Sequence, residues 1–226
     1  DDQGENISAK NEFYSELTGI YWAWKNTRQD IIGVCHYRRY FTAQLEPWYF
    51  KLKYFITHPF KVQKGKNPLL YTNNVKKYLP RILSEKEAID ILNDHDIVLP
   101  TARRFRYSIF THYSKYHDSR DIQIVTAILN DKFPSYLDSW EKVLAGNLLY
   151  ANNMFILKND LFLEFMDWWF EVLSEFEKRV NLETYQGYQR RILGFVAERL
   201  LTLWVVHKKL KIKELNLIYF KKFKND

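Results

Sequence analysis

The sequence predicts an α/β protein with a mostly parallel sheet and helices on both of its faces. Short β-branched runs alternate with segments whose apolar residues recur every three or four positions, which is the order of strands and helices in layered α/β folds. At 226 residues and 46% hydrophobic composition, the chain can bury one substantial core. We therefore expect a single domain over residues 1–226.

The first predicted element is a helix over residues 12–26, with Asn11 as its N-cap. Its apolar residues share one face, which we assign to the core. Thr18, Trp22 and Lys25 are spaced four and then three residues apart, so they form a second, polar and aromatic flank. This flank has two interpretations, a binding surface or an ordinary boundary between core and solvent.

The second predicted element is a buried strand over residues 31–34, which ends in His36, Arg38 and Arg39. Ligands of open α/β sheets collect at the carboxyl ends of strands. Arginine presents a planar fork that matches phosphate oxygens, and histidine can donate from either ring nitrogen. The pattern indicates an anion site. The alternative is a solvated strand end whose arginines pair with surface carboxylates.

Residues 42–83 have weak periodicity, and we expect an irregular, basic and aromatic-rich excursion there. Ser84 and Glu87 form a capping-box pattern that opens a helix, and residues 95–100 read as a short buried strand. The continuation over residues 101–121 contains four arginines, two histidines and two aspartates. Such polar density predicts a loop that contributes to a site.

The C-terminal half predicts helices over residues 122–130, 160–180 and 185–207, a strand over residues 148–157 and an edge strand over residues 211–220.

Two features of this half bear on function. Asn152 and Asn153 interrupt an apolar strand, and buried amides need hydrogen-bond partners, which either a turn or a ligand would provide. Arg191 and Glu198 lie two turns apart on one face of the last helix. The alternative is that this face of the helix is exposed to solvent and binds no ligand.

The formal net charge of +7 is distributed unevenly. Residues 47–84 contain no acidic residue but eight lysines and arginines, a run that suits nucleic acid or the anionic inner face of a membrane. The single cysteine excludes an intrachain disulfide and agrees with a reducing compartment. We expect a cytoplasmic protein in peripheral contact with an anionic membrane through residues 47–84.

Familiar catalytic and metal motifs are missing from the sequence: there is no Gly-rich phosphate loop, zinc-ligand spacing or serine-nucleophile elbow. Asp94 and Asp96 have Asp-x-Asp spacing but precede a strand, so we expect them at the opposite end of the sheet from the anion site. Hard cations prefer carboxylate oxygens, whereas that site offers cationic side chains. We therefore predict that no metal is required.

Several blocks of the sequence carry a family resemblance. The N-terminal blocks are residues 4–8, 10–11, 16–18 and 21–26 and the run His36-Tyr37-Arg38-Arg39-Tyr40-Phe41; later pieces are Tyr113, His117, Asp121, residues 153–156, Arg191, Gly194, Phe195 and residues 198–200. In these blocks the chain resembles a bacterial family of capsular and exopolysaccharide biosynthesis proteins that is similar to glycosyltransferases, including galactofuranosyltransferases. The resemblance covers nearly the whole chain and is weakest between residues 41 and 84.

The resemblance implies a GT-A-like, Rossmann-like fold, and it leads us to expect that an N-terminal strand segment is missing from this chain. It implies a glycosyltransferase that moves a sugar, such as galactofuranose, from a nucleotide-diphosphate donor to a lipid-linked glycan in capsular polysaccharide, exopolysaccharide or O-antigen biosynthesis. Members of GT-A families often hold a divalent cation through an Asp-x-Asp. The corresponding place here reads His36-Tyr37-Arg38.

These expectations assign roles to individual residues. Glu198 is the candidate base for the acceptor hydroxyl, with Asp121 and Asp118 as rivals. The candidate donor-binding residues are His36, Arg38, Arg39, Glu16, Thr18, Trp22, Lys25, Asn153 and Arg191. The competing hypothesis is a non-catalytic basic module that binds nucleic acid or another anionic polymer. It explains poorly why arginines follow a core strand, so we expect no nucleic-acid partner.

Overall fold

The computed structural model describes residues 2–44, 56 and 69–221. Its strands are β1 Ile31–Val34, β2 Arg39–Thr42, β3 Leu69–Thr72, β4 Ile97–Pro100, β5 Arg103–Arg104, β6 Leu148–Leu149, β7 Phe155–Lys158 and β8 Ile212–Phe220. Its α-helices are α1 Asn11–Tyr14, α2 Leu17–Asn26, α3 Val75–Tyr78, α4 Glu85–Asp94, α5 Ile109–Tyr116, α6 Ser119–Lys132, α7 Leu137–Ala145, α8 Asn159–Arg179 and α9 Ile192–Lys208. No helix in these ranges is long and apolar enough to cross a bilayer.

The main sheet has the order β1, β7, β4, β8 and β2, and β3 also pairs with β8. β7 is antiparallel to β1 and β4, while β8 is antiparallel to β2 and parallel to β4 and β3. The predicted α/β class is confirmed, but the sheet is mixed instead of mostly parallel. An apolar run specifies a strand without specifying its direction, which is why the sequence pattern could not decide this point.

Helices cover both faces of the sheet, as predicted. Along β4, Ile97 and Leu99 join the large core formed with α8 and α9, while Val98 packs with Ala88 and Leu92 of α4 on the other face. This alternation follows from the two-residue period of a strand. Much of the chain's aromatic content fills the large core, where fully buried rings are Trp140, Trp169, Trp204, Phe155, Phe162, Phe165 and Phe176.

The predicted helix over residues 12–26 is two helices, because Ser15 has a φ of 51° and a ψ of −125°. Asn11 is not an N-cap but the first residue of α1, and its Nδ2 donates to the Ser15 carbonyl at 3.1 Å and to Thr18 Oγ1 at 3.0 Å. The break at Ser15 directs the next residue, Glu16, toward the cleft described below.

Other boundaries agree with the sequence in part. Both hydrogen bonds of the capping box between Ser84 and Glu87 form at the start of α4. The predicted edge strand at the C-terminus is instead the central strand β8, which pairs with β4 along its first half and with β2 and β3 along its second. The predicted loop over residues 101–121 contains α5, and α7 was not predicted from the sequence.

Much of the predicted excursion lies outside the described residues. The described part at its end was expected to be irregular. It contains α3, and it also contains β3, which the sequence pattern did not reveal.

Candidate functional site

The ends of two strands meet the beginning of a third at one edge of the main sheet. β7 is antiparallel to both of its neighbours, with Val34 of β1 opposite Phe155 and Val98 of β4 opposite Ile156. The chain leaving β1 and the chain leaving β4 therefore pass close to the turn that enters β7. The strand that was predicted to be buried, β1, is instead an edge strand of the sheet, and only Ile32 among its residues is buried.

A cleft of about 420 Å³ opens at this edge. Charged and aromatic side chains from distant parts of the chain line it: Glu16, His36, Arg39, Arg103, Phe105, His112, Tyr116, His117, Asn152, Tyr188, Gln189, Arg191, Phe195, Glu198 and Arg199. Four arginines against two glutamates give the cleft an excess of positive charge. This balance favours an anionic ligand.

Asn152 forms hydrogen bonds with cationic side chains of the cleft. Its Oδ1 accepts hydrogen bonds from Arg39 Nη1 at 2.8 Å and from Arg103 Nη2 at 3.2 Å. Its backbone carbonyl accepts from His36 Nε2 at 2.6 Å, which assigns the proton of a neutral His36 to that nitrogen because a carbonyl only accepts. Three cationic or titratable side chains thus converge on one residue.

Glu198 and Arg199 form the floor of the cleft. Glu198 Oε1 accepts from the Asn152 backbone N–H at 2.7 Å, and its Oε2 accepts from Arg199 Nη1 at 3.0 Å. Arg199 is 2% exposed, and it also donates to the Phe195 carbonyl at 2.8 Å. A buried guanidinium needs such partners, so Glu198 stabilises both the floor and the turn at Asn152.

Glu16 and Arg191 form one wall. Arg191 Nη2 donates to Glu16 Oε2 at 2.9 Å, and Arg191 Nε donates to Ser15 Oγ at 2.9 Å. The fully buried Asn153 donates through Nδ2 to Glu16 Oε1 at 2.9 Å and to the Gly194 carbonyl at 3.1 Å. Asn153 therefore lies behind the wall and orients Glu16.

Histidines and aromatic rings form another part of the lining. The His112 ring stacks on Phe105 with centroids 3.7 Å apart, and the His117 ring packs against Phe195 at 4.3 Å. His117 Nδ1 lies 2.7 Å from Gln189 Oε1. Burial lowers the pKa of both histidines, and the nearby Arg199 charge acts in the same direction, which favours their neutral forms. At His117 the hydrogen bond with Gln189 raises the pKa and opposes part of this shift.

Five predicted site residues line the cleft, namely Glu16, His36, Arg39, Arg191 and Glu198, and a sixth, Asn153, lies directly behind it.

The remaining predicted donor-binding residues lie outside the cleft. Arg38 Nη1 reaches the Lys221 carbonyl at 3.3 Å. Thr18 is buried and donates to the Ser15 carbonyl, Trp22 Nε1 donates to the Gln3 carbonyl at 2.7 Å, and Lys25 Nζ lies 3.3 Å from the Trp24 ring centroid. The flank of α2 is thus engaged in local contacts.

Neither rival base lines the cleft: Asp118 caps α6, and Asp121 lies in a closed cluster. Asp121 is 1% exposed, and its two oxygens accept from Tyr113 Oη at 2.8 Å and from Tyr185 Oη at 2.6 Å. Burial raises the pKa of Asp121, and the hydrogen bonds from Tyr185 and Tyr113 oppose that rise. The surroundings of Asp121 are those of a structural carboxylate.

Sequence reasoning did not single out several lining residues. Arg103, His112 and His117 belong to the predicted polar loop but received no individual role. Arg199 was missed, although a charged residue inside an otherwise apolar helix is a recognisable signal. Gln189 had no such signal, because its contacts are made by residues far away in the chain.

The chain matches the sequence model of the family described as "Domain of unknown function (DUF4422)" over residues 1–209. Among solved structures it is similar to the apo structure of WbbM, a bifunctional glycosyltransferase, with a TM-score of 0.83 and 26% identity. The match covers 98% of this chain and 39% of that one, so this chain spans well under half of its length. The similarity is consistent with the expected GT-A-like fold. No curated protein sequence matches.

Proposed function

Since the chain belongs to the DUF4422 family, whose model matches most of its length, we propose that it acts as a glycosyltransferase with a nucleotide-diphosphate sugar as donor. The similarity to WbbM, which is described as a bifunctional glycosyltransferase, supports a transferase. The observation that carries the proposal is the convergence of Arg39 and Arg103 on one oxygen in the cleft, because a diphosphate leaving group needs concentrated, correctly oriented positive charge.

In this proposal the diphosphate lies against Arg39 and Arg103, with His36 beside them. Guanidinium groups bind phosphate oxygens through parallel N–H bonds and stabilise the charge that develops as the sugar leaves. Tyr116 and Tyr188 are 62% and 66% exposed at the cleft, and their rings offer flat surfaces to the base or the sugar of the donor.

Glu198 is the proposed base if the reaction inverts configuration. Of the three carboxylates predicted for this role, Glu198 lines the cleft, whereas Asp121 and Asp118 do not. Each oxygen of Glu198 already accepts one protein hydrogen bond. A carboxylate has about four acceptor positions, so capacity remains for an acceptor hydroxyl.

The finer assignments also remain proposals. From the family resemblance we propose galactofuranose as the sugar and a lipid-linked glycan of a capsular, exopolysaccharide or O-antigen pathway as the acceptor. We further propose that arginine charge replaces a divalent cation. Asp96 lies at the opposite end of β4 from the cleft, as expected, because its Oδ2 accepts from the Lys211 N–H at 2.7 Å where β4 and β8 begin.

Membrane contact is proposed through the basic run over residues 47–84, which would bring a cytoplasmic enzyme to a lipid-linked acceptor. Lys61, Lys64 and Lys66 lie outside the described residues, so this proposal depends on charge alone. Co-sedimentation with anionic and with neutral liposomes tests it. Equal binding to both would contradict it.

The experiment that tests the function is a screen of nucleotide-diphosphate sugars, read out as release of nucleoside diphosphate with and without a polyprenyl-linked acceptor. We expect acceptor-dependent turnover with one donor, and its loss in the Arg39→Ala, Arg103→Ala double variant. Calorimetry with UDP and with single-stranded DNA separates this function from the alternative of a basic binding module. Binding of DNA but of no nucleotide would favour the alternative.

A further inference from the structure

The turn between β6 and β7 has an unusual backbone. Asn152 has a φ of 78° and Asn153 a φ of 49°, so two successive residues are left-handed. Asparagine adopts this conformation more readily than most residues other than glycine. The turn directs the N–H of Asn152 toward Glu198, its carbonyl toward His36, and its side chain toward Arg39 and Arg103.

The side-chain partner that Arg39 and Arg103 share is neutral. Each guanidinium has five N–H donors, and Asn152 Oδ1 accepts one hydrogen bond from each group. Within the described residues, the ion pairs of the cleft join other side chains, Glu16 to Arg191 and Glu198 to Arg199. Among the residues that the structure describes, two positive charges are thus held together without a carboxylate to neutralise them.

From this geometry we infer that Asn152 is a positioning residue for the diphosphate of the donor. Its amide oxygen fixes the spacing of Arg39 and Arg103 while leaving their charge for the ligand. The inference rests on the proposed function, since it takes the anion to be that of a nucleotide-diphosphate sugar. It also explains the residue type, because an aspartate of the same size would accept the same hydrogen bonds but would neutralise the site.

Three variants test this inference. Asn152→Asp keeps the size of the side chain and both acceptor bonds but adds a negative charge. Asn152→Gly keeps the left-handed backbone, which glycine adopts readily, but removes the amide oxygen. Asn74→Asp is the matched control, because Asn74 is an exposed N-cap of α3 outside the cleft, and aspartate can make the same cap. Affinity is measured by calorimetry with UDP and with inorganic pyrophosphate, and stability by the melting temperature.

We expect Asn152→Asp to weaken the binding of both probes by about tenfold or more, because the new carboxylate competes for the guanidinium groups. Its melting temperature should be unchanged or higher, since the variant gains ion pairs and loses no hydrogen bond. Asn152→Gly should weaken binding by a smaller factor, about three- to fivefold, because the charges remain but lose their common anchor. Asn74→Asp should bind both probes as the wild type does.

Wild-type affinity in Asn152→Asp would overturn the inference, and so would a wild-type protein that binds neither probe. A parallel loss of affinity and melting temperature in Asn152→Asp would also overturn it, since a purely structural role predicts that the two change together. Failure of the proposed function looks different. In that case the probes bind and the variants behave as expected, but no nucleotide-diphosphate sugar is turned over.

Discussion

Two polar clusters lie near Arg199, and they use polar groups in opposite ways. In the tyrosine cluster, formed by Tyr113, Asp121 and Tyr185, both oxygens of a buried carboxylate are bonded to protein hydroxyls. In the arginine cluster, formed by Arg39, Arg103 and Asn152, two cations share one neutral oxygen at an open cleft. Polar residues whose hydrogen bonds are made within the protein stabilise the fold. Charges that no protein carboxylate neutralises are available to a ligand.

The largest effect is expected in the tyrosine cluster. Asp121→Ala should lower the free energy of unfolding by about 3 kcal/mol, because two tyrosine hydroxyls lose their acceptor in a buried site. Urea unfolding followed by circular dichroism measures the change. Tyr185→Phe is the control; it removes one of the two hydrogen bonds and should cost about 1 kcal/mol. Unchanged stability together with abolished turnover in Asp121→Ala would instead make Asp121 a catalytic residue.

In the arginine cluster we expect an effect on binding. Arg39→Ala should weaken UDP binding by about ten- to hundredfold, which corresponds to the loss of one charge-assisted pair. Arg38→Ala is the matched control, because the neighbouring residue has the same charge but lies outside the cleft. Calorimetry at low salt compares the two variants. The geometry would be contradicted if the two variants lost similar affinity, or if Arg38→Ala lost more.

A smaller, pH-dependent effect on the stability of the folded protein is expected from the histidines beside both clusters. The folded-state pKa values of His112 and His117 are lowered, chiefly by burial, so the unfolded chain binds more protons just below its own histidine pKa of about 6.5. The contribution of these two histidines to the free energy of unfolding is therefore fully present above about pH 6.5, and it is lost as the pH falls toward their folded-state pKa values. Arg103 and Lys115 also face His112, and their charges act in the same direction.

Urea unfolding of the wild type and of a His112→Gln, His117→Gln double variant at about pH 7.5 and about pH 5.5 isolates this contribution. We expect the wild type to lose more stability between the two pH values than the double variant does. Identical losses would show that other groups control the pH dependence.

No effect is expected from chelation. If the arginine cluster neutralises the leaving diphosphate, turnover should continue in excess EDTA and should not rise on addition of Mg²⁺ or Mn²⁺. The measurement uses the donor identified in the screen. Abolition by EDTA with rescue by a metal would contradict the proposal and would make Asp94, Asp96, Asp118 and Asp121 candidate ligands.

Much of the local structure could be predicted from the sequence. β-branched runs gave β1 and β4, the Ser84 and Glu87 pattern gave the start of α4, and the paired asparagines indicated the interruption before β7. These features depend on neighbours within about one turn or one strand, and local propensity and capping act at that range. The predicted cluster of charge after β1 likewise placed His36 and Arg39 in the cleft.

Predictions that needed contacts between distant residues were less successful. Thr18, Trp22 and Lys25 have the spacing of a binding flank, but contacts within and near α2 engage them. Arg38 and Arg39 are indistinguishable as neighbours in the sequence, yet one lies in the cleft and the other outside it. The direction of β7 and the central position of β8 were equally hidden, because hydrogen-bond register is a property of pairs of strands.

The sequence by itself determined the helices and strands with strong periodicity, the excess of positive charge and the arginines that follow the ends of strands. Only the tertiary structure decided which charges act together. Arg39 and Arg103 meet at Asn152 although they are 113 and 49 residues away from it in the chain. Their meeting depends on β1 and β4 both running antiparallel to β7, which brings three separate segments to one edge of the sheet.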